Sequence, residues 1–237
     1  MRKMLSKLYS KSKEEFYKLM KSNLQNEKKM FIVTANSETF VKAEEDLELN
    51  KLLNDKQVVL VPDGIGVVRA ARRNGHKIQE RITGIDIATN LLEYGNELKK
   101  SIYLFGAKEE VINSMKIVLS NKYPNLKIVG TSNGYVKDKD KVFDKIVKYD
   151  PDIVLVALGI PNQEKLIYKH VDKFKKGIFV GVGGSFDVIS GHKKRAPKIL
   201  IDLNLEWLYR IIKEPKRIKR FCDNNIKFIM KTRKIKK

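Results

Sequence analysis

Short runs that are apolar at nearly every position alternate along this chain with longer stretches whose apolar residues recur every three or four positions. The short runs fall at residues 30–35, 57–62, 101–106, 126–131, 152–158 and 177–182. They read as strands buried on both faces, the kind a parallel sheet covered by helices requires. Between them, residues 38–53, 67–74, 86–99, 109–123, 141–148 and 164–174 keep the helical period. Strand alternating with helix predicts a doubly wound α/β body. Residues 102–131 look like one complete βαβ unit, with Pro124-Asn125 ending its helix.

The pattern changes near the end. Leu200, Leu203, Trp207, Leu208 and Ile211 share one helical face, so a helix with an apolar stripe is expected there. Pro215 stops it and opens a second helix in its first turn, with Arg217 and Arg220 three apart on one side. The expected organisation is a body of residues 1–197, led by a basic helical segment at 1–29, and a C-terminal helical appendage at 198–237.

Charge sharpens that division. The 237 residues carry a formal net charge of +21. Residues 208–237 alone hold 12 basic and 2 acidic side chains, and residues 1–29 hold 9 and 3, which leaves the rest nearly balanced. A near-neutral body with a basic tail suits docking on a polyanion, either nucleic acid or an anionic lipid surface. The 42% hydrophobic content is enough for a core and argues against wholesale disorder. No apolar run approaches the roughly 18 residues of a membrane-spanning helix, and the first residues lack the apolar stretch of a secretory signal. Cys222 is the one cysteine, which excludes a disulfide framework and a cysteine-built zinc site. A cytoplasmic location is expected.

Candidate chemistry sits at strand ends. In VPDGIGVVRAARRNG, Asp63 and Gly64 directly follow an apolar strand. In an open parallel sheet ligands bind at the carboxyl ends of strands, so Asp63 either points into that cleft or caps the next helix. Thr34 and Asn36 close the first strand with short polar groups, and LGIPNQE, containing Gln163 and Glu164, follows the fifth. Singly these are turn chemistry; together they suggest a cleft. GVGGSFDVISG has glycines after a strand, but Gly184 is followed at the third position by Asp187 and not by glycine, so the dinucleotide fingerprint fails, and no Walker sequence is present. Asp138-Lys139-Asp140 reads as a solvated loop or helix start, and His76, His170 and His192 read as surface residues without metal-ligand spacing. Arg81 matters only if it faces the same cleft as Asp63. Arg210, Arg217 and Arg220, interleaved with Trp207, Tyr209 and Phe221, offer guanidinium forks for phosphate.

The strings TAN at 34–36, VPDGIGVVRAAR at 61–72, ERITG at 80–84, LGIPNQEKLI at 158–167, GVGGSFDVISGHKKRAP at 181–197 and LEWLYRIIKEPKRIKR at 205–220 resemble, in order, the WecG/TagA/CpsF glycosyltransferases. Two departures are minor: no tryptophan follows Gln163-Glu164, and Ile189-Ser190 precedes Gly191 in place of the usual small residue. The resemblance implies a Rossmann-like fold, a mostly parallel sheet with helices on both faces, and a C-terminal appendage that meets the membrane and completes the active site. It implies an inverting, metal-independent transferase without a cofactor, peripheral on the inner face of the cell membrane. The transfer would move N-acetylmannosamine from a UDP donor to undecaprenyl-diphosphate-linked GlcNAc, building the linkage unit of wall teichoic acid. By motif, Asp63 would be the general base. Thr34, Asn36, Arg81, Gln163 and Asp187 would line the pocket, with Arg210, Arg217 and Arg220 reaching in from the appendage.

Two competitors remain at this stage. A sister enzyme would take UDP-ManNAcA or UDP-glucose for another surface polymer. A basic nucleic-acid-binding protein fits the charge but lacks any recognised module. The partners expected are the sugar nucleotide, the lipid acceptor and an anionic membrane surface, without nucleic acid; the oligomeric state, a homo-oligomer included, stays open.

Overall fold

The structure, a computed structural model, describes residues 1–235, the side chain of Arg217 excepted. Six strands, β1 (Lys29–Ala35), β2 (Val58–Pro62), β3 (Ser101–Gly106), β4 (Lys127–Ser132), β5 (Ile153–Ala157) and β6 (Gly177–Gly181), form one sheet. Every neighbouring pair is parallel, and the order across the sheet is β2-β1-β6-β5-β3-β4. The helices in chain order are α1 (Arg2–Ser6), α2 (Lys13–Gln25), α3 (Ser37–Glu45), α4 (Leu47–Asn54), α5 (Ile65–Arg73), α6 (Gly84–Glu97), α7 (Glu109–Lys122), α8 (Lys139–Tyr149), α9 (Asn162–His170), α10 (Ser185–Ile189), α11 (Lys198–Asp202), α12 (Glu206–Lys213) and α13 (Ile218–Arg233).

The unbroken apolar strands are explained by two separate core layers. Successive side chains of a strand point to opposite faces. Phe31, Val33, Tyr103, Phe105, Val154, Val156 and Phe179 feed one layer with α1, α3, α4, α5, α8, α9 and α13. Ile32, Ile102, Leu104, Ile153, Leu155, Ile178 and Val180 feed the other with α2, α6, α7 and α10. The chain leaves β1 toward the first layer and β6 toward the second. Neighbouring strands whose connections diverge leave a crevice at their carboxyl ends, where α/β folds bind ligands.

The α/β reading of the sequence holds, with local differences. The helix expected at 38–53 is two helices, because Asp46 turns extended and its carboxylate accepts the Leu49 N–H (3.0 Å) to cap α4. The stripe from Leu200 to Ile211 is also divided, into α11 and α12, at a turn where Asn204 takes φ 59°. His170 is not a surface residue: it is buried against Phe143 with Nε2 2.6 Å from Asp140 Oδ1. Asp138 caps α8, so the Asp-Lys-Asp run is a helix start.

The last helix is anchored in the body. Phe228 of α13 is 1% exposed and meets Phe40 of α3 with ring centroids 5.5 Å apart. Ser37 Oγ donates to Asn225 Oδ1 (2.9 Å), and Arg73 Nη2 donates to Thr232 Oγ1 (3.0 Å). By contrast Ile199, Leu203, Trp207, Leu208, Ile212 and Ile218 are exposed. No helix among the described residues is long and apolar enough to cross a membrane.

Candidate active site

The site begins where β1 and β2 end. Ala35 and Pro62 are register partners, and the next residue, Asp63, donates its N–H to the Ala35 carbonyl (3.0 Å), carrying the ladder one step past β2. Gly64, not Asp63, is the N-cap of α5, and it makes no side-chain capping bond. Of the two roles open to Asp63 from sequence, capping is therefore excluded, and its carboxyl is left at the rim of the sheet. Thr34 is buried beside Gly84, where a Cβ would stand 3.6 Å from its Oγ1. Asn36 lies against Gly64 and caps α3, its Oδ1 accepting from the Thr39 N–H (3.1 Å).

Asp63 is partly buried. The loss of water around its carboxyl pushes the pKa up to about 6. Arg210 and Arg81 oppose the rise, whereas Glu206 and Asp86 add to it, so all four charges act on this one group. Three of them are directly linked. Glu206, 4% exposed at the start of α12, accepts from Arg81 Nη2 at Oε2 (3.0 Å) and from Arg210 Nη2 at Oε1 (2.6 Å). Asp86 accepts from Thr83 Oγ1 (2.6 Å) and from Arg195 Nη2 (2.5 Å). The body and the appendage thus share one charged cluster beside Asp63.

Gln163 is buried, and its amide ties two loops together. Its Oε1 accepts the N–H groups of Gly159 (3.0 Å) and Gly183 (3.2 Å), and its Nε2 donates to Glu164 Oε1 (2.8 Å). Gly181 makes room for it: a Cβ there would stand 2.5 Å from Gln163 Nε2. Glu164 is 1% exposed, and burial pushes its pKa up to about 7. Its Oε2 has no hydrogen-bond partner among the described residues. Asp187 lies in α10, its Oδ2 3.9 Å from where a Gly184 Cβ would stand. Arg220 does not join the Asp63 cluster. It forks onto Glu38, with Nη2 2.6 Å and Nε 3.1 Å from Oε1, and this pair with Lys42 holds the Glu38 pKa below its usual range despite burial. Arg217 closes a 3-10 turn, and its side chain lies outside the described residues.

A cavity of about 380 Å³ opens beside α12, walled by His192, Lys193, Arg195, Glu206, Tyr209 and Arg210 among others. Asp63 does not line it, but Glu206 and Arg210, which do, are among the charges acting on Asp63. Such a volume and its cationic walls suit a phosphorylated small molecule. Glu206, Asp86, Arg195 and Glu38 were not singled out from sequence. For Glu206 and Glu38 a local signal exists: they stand four residues before Arg210 and Lys42, a helical ion-pair spacing. Among the described residues no group of three or more His, Cys, Asp or Glu is placed to hold a metal ion.

Comparison with known proteins adds a family. The family model described as Glycosyl transferase WecG/TagA/CpsF matches residues 4–237. A Bacillus subtilis (strain 168) protein is 46% identical over 189 residues, covering 80% of this chain and 73% of the relative. A Staphylococcus aureus (strain MW2) protein is 36% identical over 217 residues, 90% of this chain and 85% of its own. Both carry the name N-acetylglucosaminyldiphosphoundecaprenol N-acetyl-beta-D-mannosaminyltransferase.

Proposed function

Because the chain belongs to the WecG/TagA/CpsF family of glycosyl transferases, we propose that it is an N-acetylglucosaminyldiphosphoundecaprenol N-acetyl-beta-D-mannosaminyltransferase. The donor is UDP-ManNAc, the acceptor undecaprenyl-diphosphate-linked GlcNAc, and the product a β-1,4 linkage formed with inversion in wall teichoic acid linkage-unit synthesis. Asp63 takes the proton of the acceptor hydroxyl as that oxygen attacks the anomeric carbon. The bond from that carbon to the UDP oxygen breaks, and its electron pair leaves on the diphosphate. A positioned base contributes about 10²–10⁴ in rate. Charge developing on the leaving diphosphate is met by Arg81 and Arg210, in a site that needs no metal ion. The observation that carries this reading is the half-buried Asp63, raised to about 6, beside that arginine pair.

Thr34, Asn36 and Asp187 flank the crevice in which the sugar would sit, and Gln163 sets the two loops that shape it. Arg217 and Arg220 are proposed to bind the acceptor diphosphate, Arg220 by leaving Glu38. The exposed apolar residues of α11 and α12, amid basic neighbours, support peripheral docking on the inner face of the membrane.

The test is UDP release with both substrates present. Release that requires UDP-ManNAc and the lipid acceptor together, persists in EDTA and drops about a hundredfold or more in Asp63→Asn supports the assignment. An Asp63→Asn enzyme with most of its activity overturns the base role. Preference for UDP-ManNAcA or UDP-glucose in a donor panel overturns the donor.

A further inference from the structure

Glu206 presents a contradiction in charge. The site proposed above must hold diphosphates, yet a buried carboxylate sits at the wall of its cavity and occupies one nitrogen of each of two arginines. A helix fastening would need only one of these bonds, and a phosphate site built for tight binding would have no anion there. Arg81 is held well inside, with 12% of its side chain exposed, whereas Arg210 is 52% exposed. Glu206 thus stands between an inner and an outer guanidinium, one from the body and one from the appendage. Each guanidinium has five N–H donors, so one bond to Glu206 leaves the fork free to engage a ligand. Without an anion between them the two arginines repel, so a bound diphosphate would take over the place that Glu206 leaves.

We propose that Glu206 is a positioning residue and internal counter-charge: it aims Arg81 and Arg210 at the diphosphate and weakens their hold on it so that product leaves. This deepens the transferase reading and rests on it for the identity of the product. A like charge close to the ligand reduces affinity in the ground state, where the diphosphate is already fully charged and bound. An enzyme that held its leaving group with two uncompensated arginines would be limited by release. Lys193 and Arg195 in the same cavity wall are also balanced, by Glu214 and Asp86 respectively. Carboxylate pairing thus recurs at three cations of this cavity wall, Lys193, Arg195 and Arg210, and Glu206 is the most buried of the three carboxylates.

The experiment uses the full chain and inorganic pyrophosphate as probe, titrated calorimetrically against wild type, Glu206→Gln and Glu206→Asp. Trp207, the one tryptophan, stacks on Phe221 at 4.8 Å and 6° and reports by its emission whether α12 stays seated. The expected result is that Glu206→Gln binds pyrophosphate roughly tenfold more tightly, the effect of removing one like charge from a partly screened site. Glu206→Asp, which keeps the charge, stays within about twofold of wild type. Trp207 emission is the same in all three. Equal or weaker binding by Glu206→Gln overturns the proposal, as does an equal shift in Glu206→Asp or the absence of binding to wild type. A changed Trp207 emission or a failure to fold makes Glu206 a fastening of α12, which also overturns it. An error in the donor assignment reads differently: pyrophosphate binds with the expected pattern, while UDP-ManNAc gives no turnover.

Discussion

Asp63 can accept a proton only as a carboxylate, and its raised pKa sets the pH below which it cannot. With the group at about 6, kcat/KM should fall on the acid side of that value and level off above it. A pH–rate profile checks this, and the Asp63→Asn enzyme should lack that limb. Glu164 makes a second prediction, in stability. Burial raises its pKa from 4.5 to about 7, so the folded state favours the protonated form. The resulting stabilisation is whole below about pH 4.5 and is lost as pH rises through about 7. Glu164→Gln mimics the neutral form, so it should gain on wild type by on the order of 2 kcal/mol at pH 8 and by little at pH 4.5. Thermal melts at the two pH values measure the difference. Asp63 was legible as a candidate because a carboxylate directly after an apolar strand has few places to point. Glu206 was not, because its meaning comes from Arg81, which lies far away in the chain and meets it only through the fold.

At the level of elements, the crevice depends on two loops being held together by one amide. Gly181→Ala would drive a Cβ to 2.5 Å from Gln163 Nε2, and that side chain is buried and bonded at both ends, so it cannot yield cheaply. The variant should lose turnover far more than it loses fold, which circular dichroism and UDP release measured on one preparation would separate. Five strands were legible because residues buried on both faces leave no polar alternation to confuse them; β4, expected to be the same, is an edge strand with no fully buried position. The helix breaks were not. The apolar period runs through Asp46 because α3 and α4 feed the same layer, and only the extended backbone at Asp46 divides them. The period of the stripe from Leu200 to Ile211 is one that a core face and a membrane face share, and in the fold Leu203, Trp207 and Leu208 face outward.

Across the whole molecule, the C-terminal region is packed into the body at Phe228 and leaves apolar residues of α11 and α12 on the surface. Phe228 packs into the body, so Phe228→Ala should destabilise it by about 3–5 kcal/mol, measurable by denaturant unfolding. The exposed apolar residues of α11 and α12 with their basic neighbours should bind anionic vesicles. Each lysine or arginine near the surface adds about 1 kcal/mol, an attraction that salt removes. Cosedimentation should therefore weaken steeply with ionic strength, and neutral vesicles should bind little; salt-independent binding would contradict the docking role. The net charge of +21 pointed equally to nucleic acid and lipid, and it is the placement of Ile199, Leu203, Trp207 and Ile212 on the surface that favours lipid. The most direct measurement follows UDP release from UDP-ManNAc with the lipid-diphosphate-GlcNAc acceptor, by wild type and Asp63→Asn, from about pH 5 to 8. The predicted result is acceptor-dependent release by wild type with an acid limb near 6, and a pH-flat residue of activity about a hundredfold lower or less in Asp63→Asn. Comparable release by the two proteins, or release by wild type that ignores the acceptor, would contradict the account.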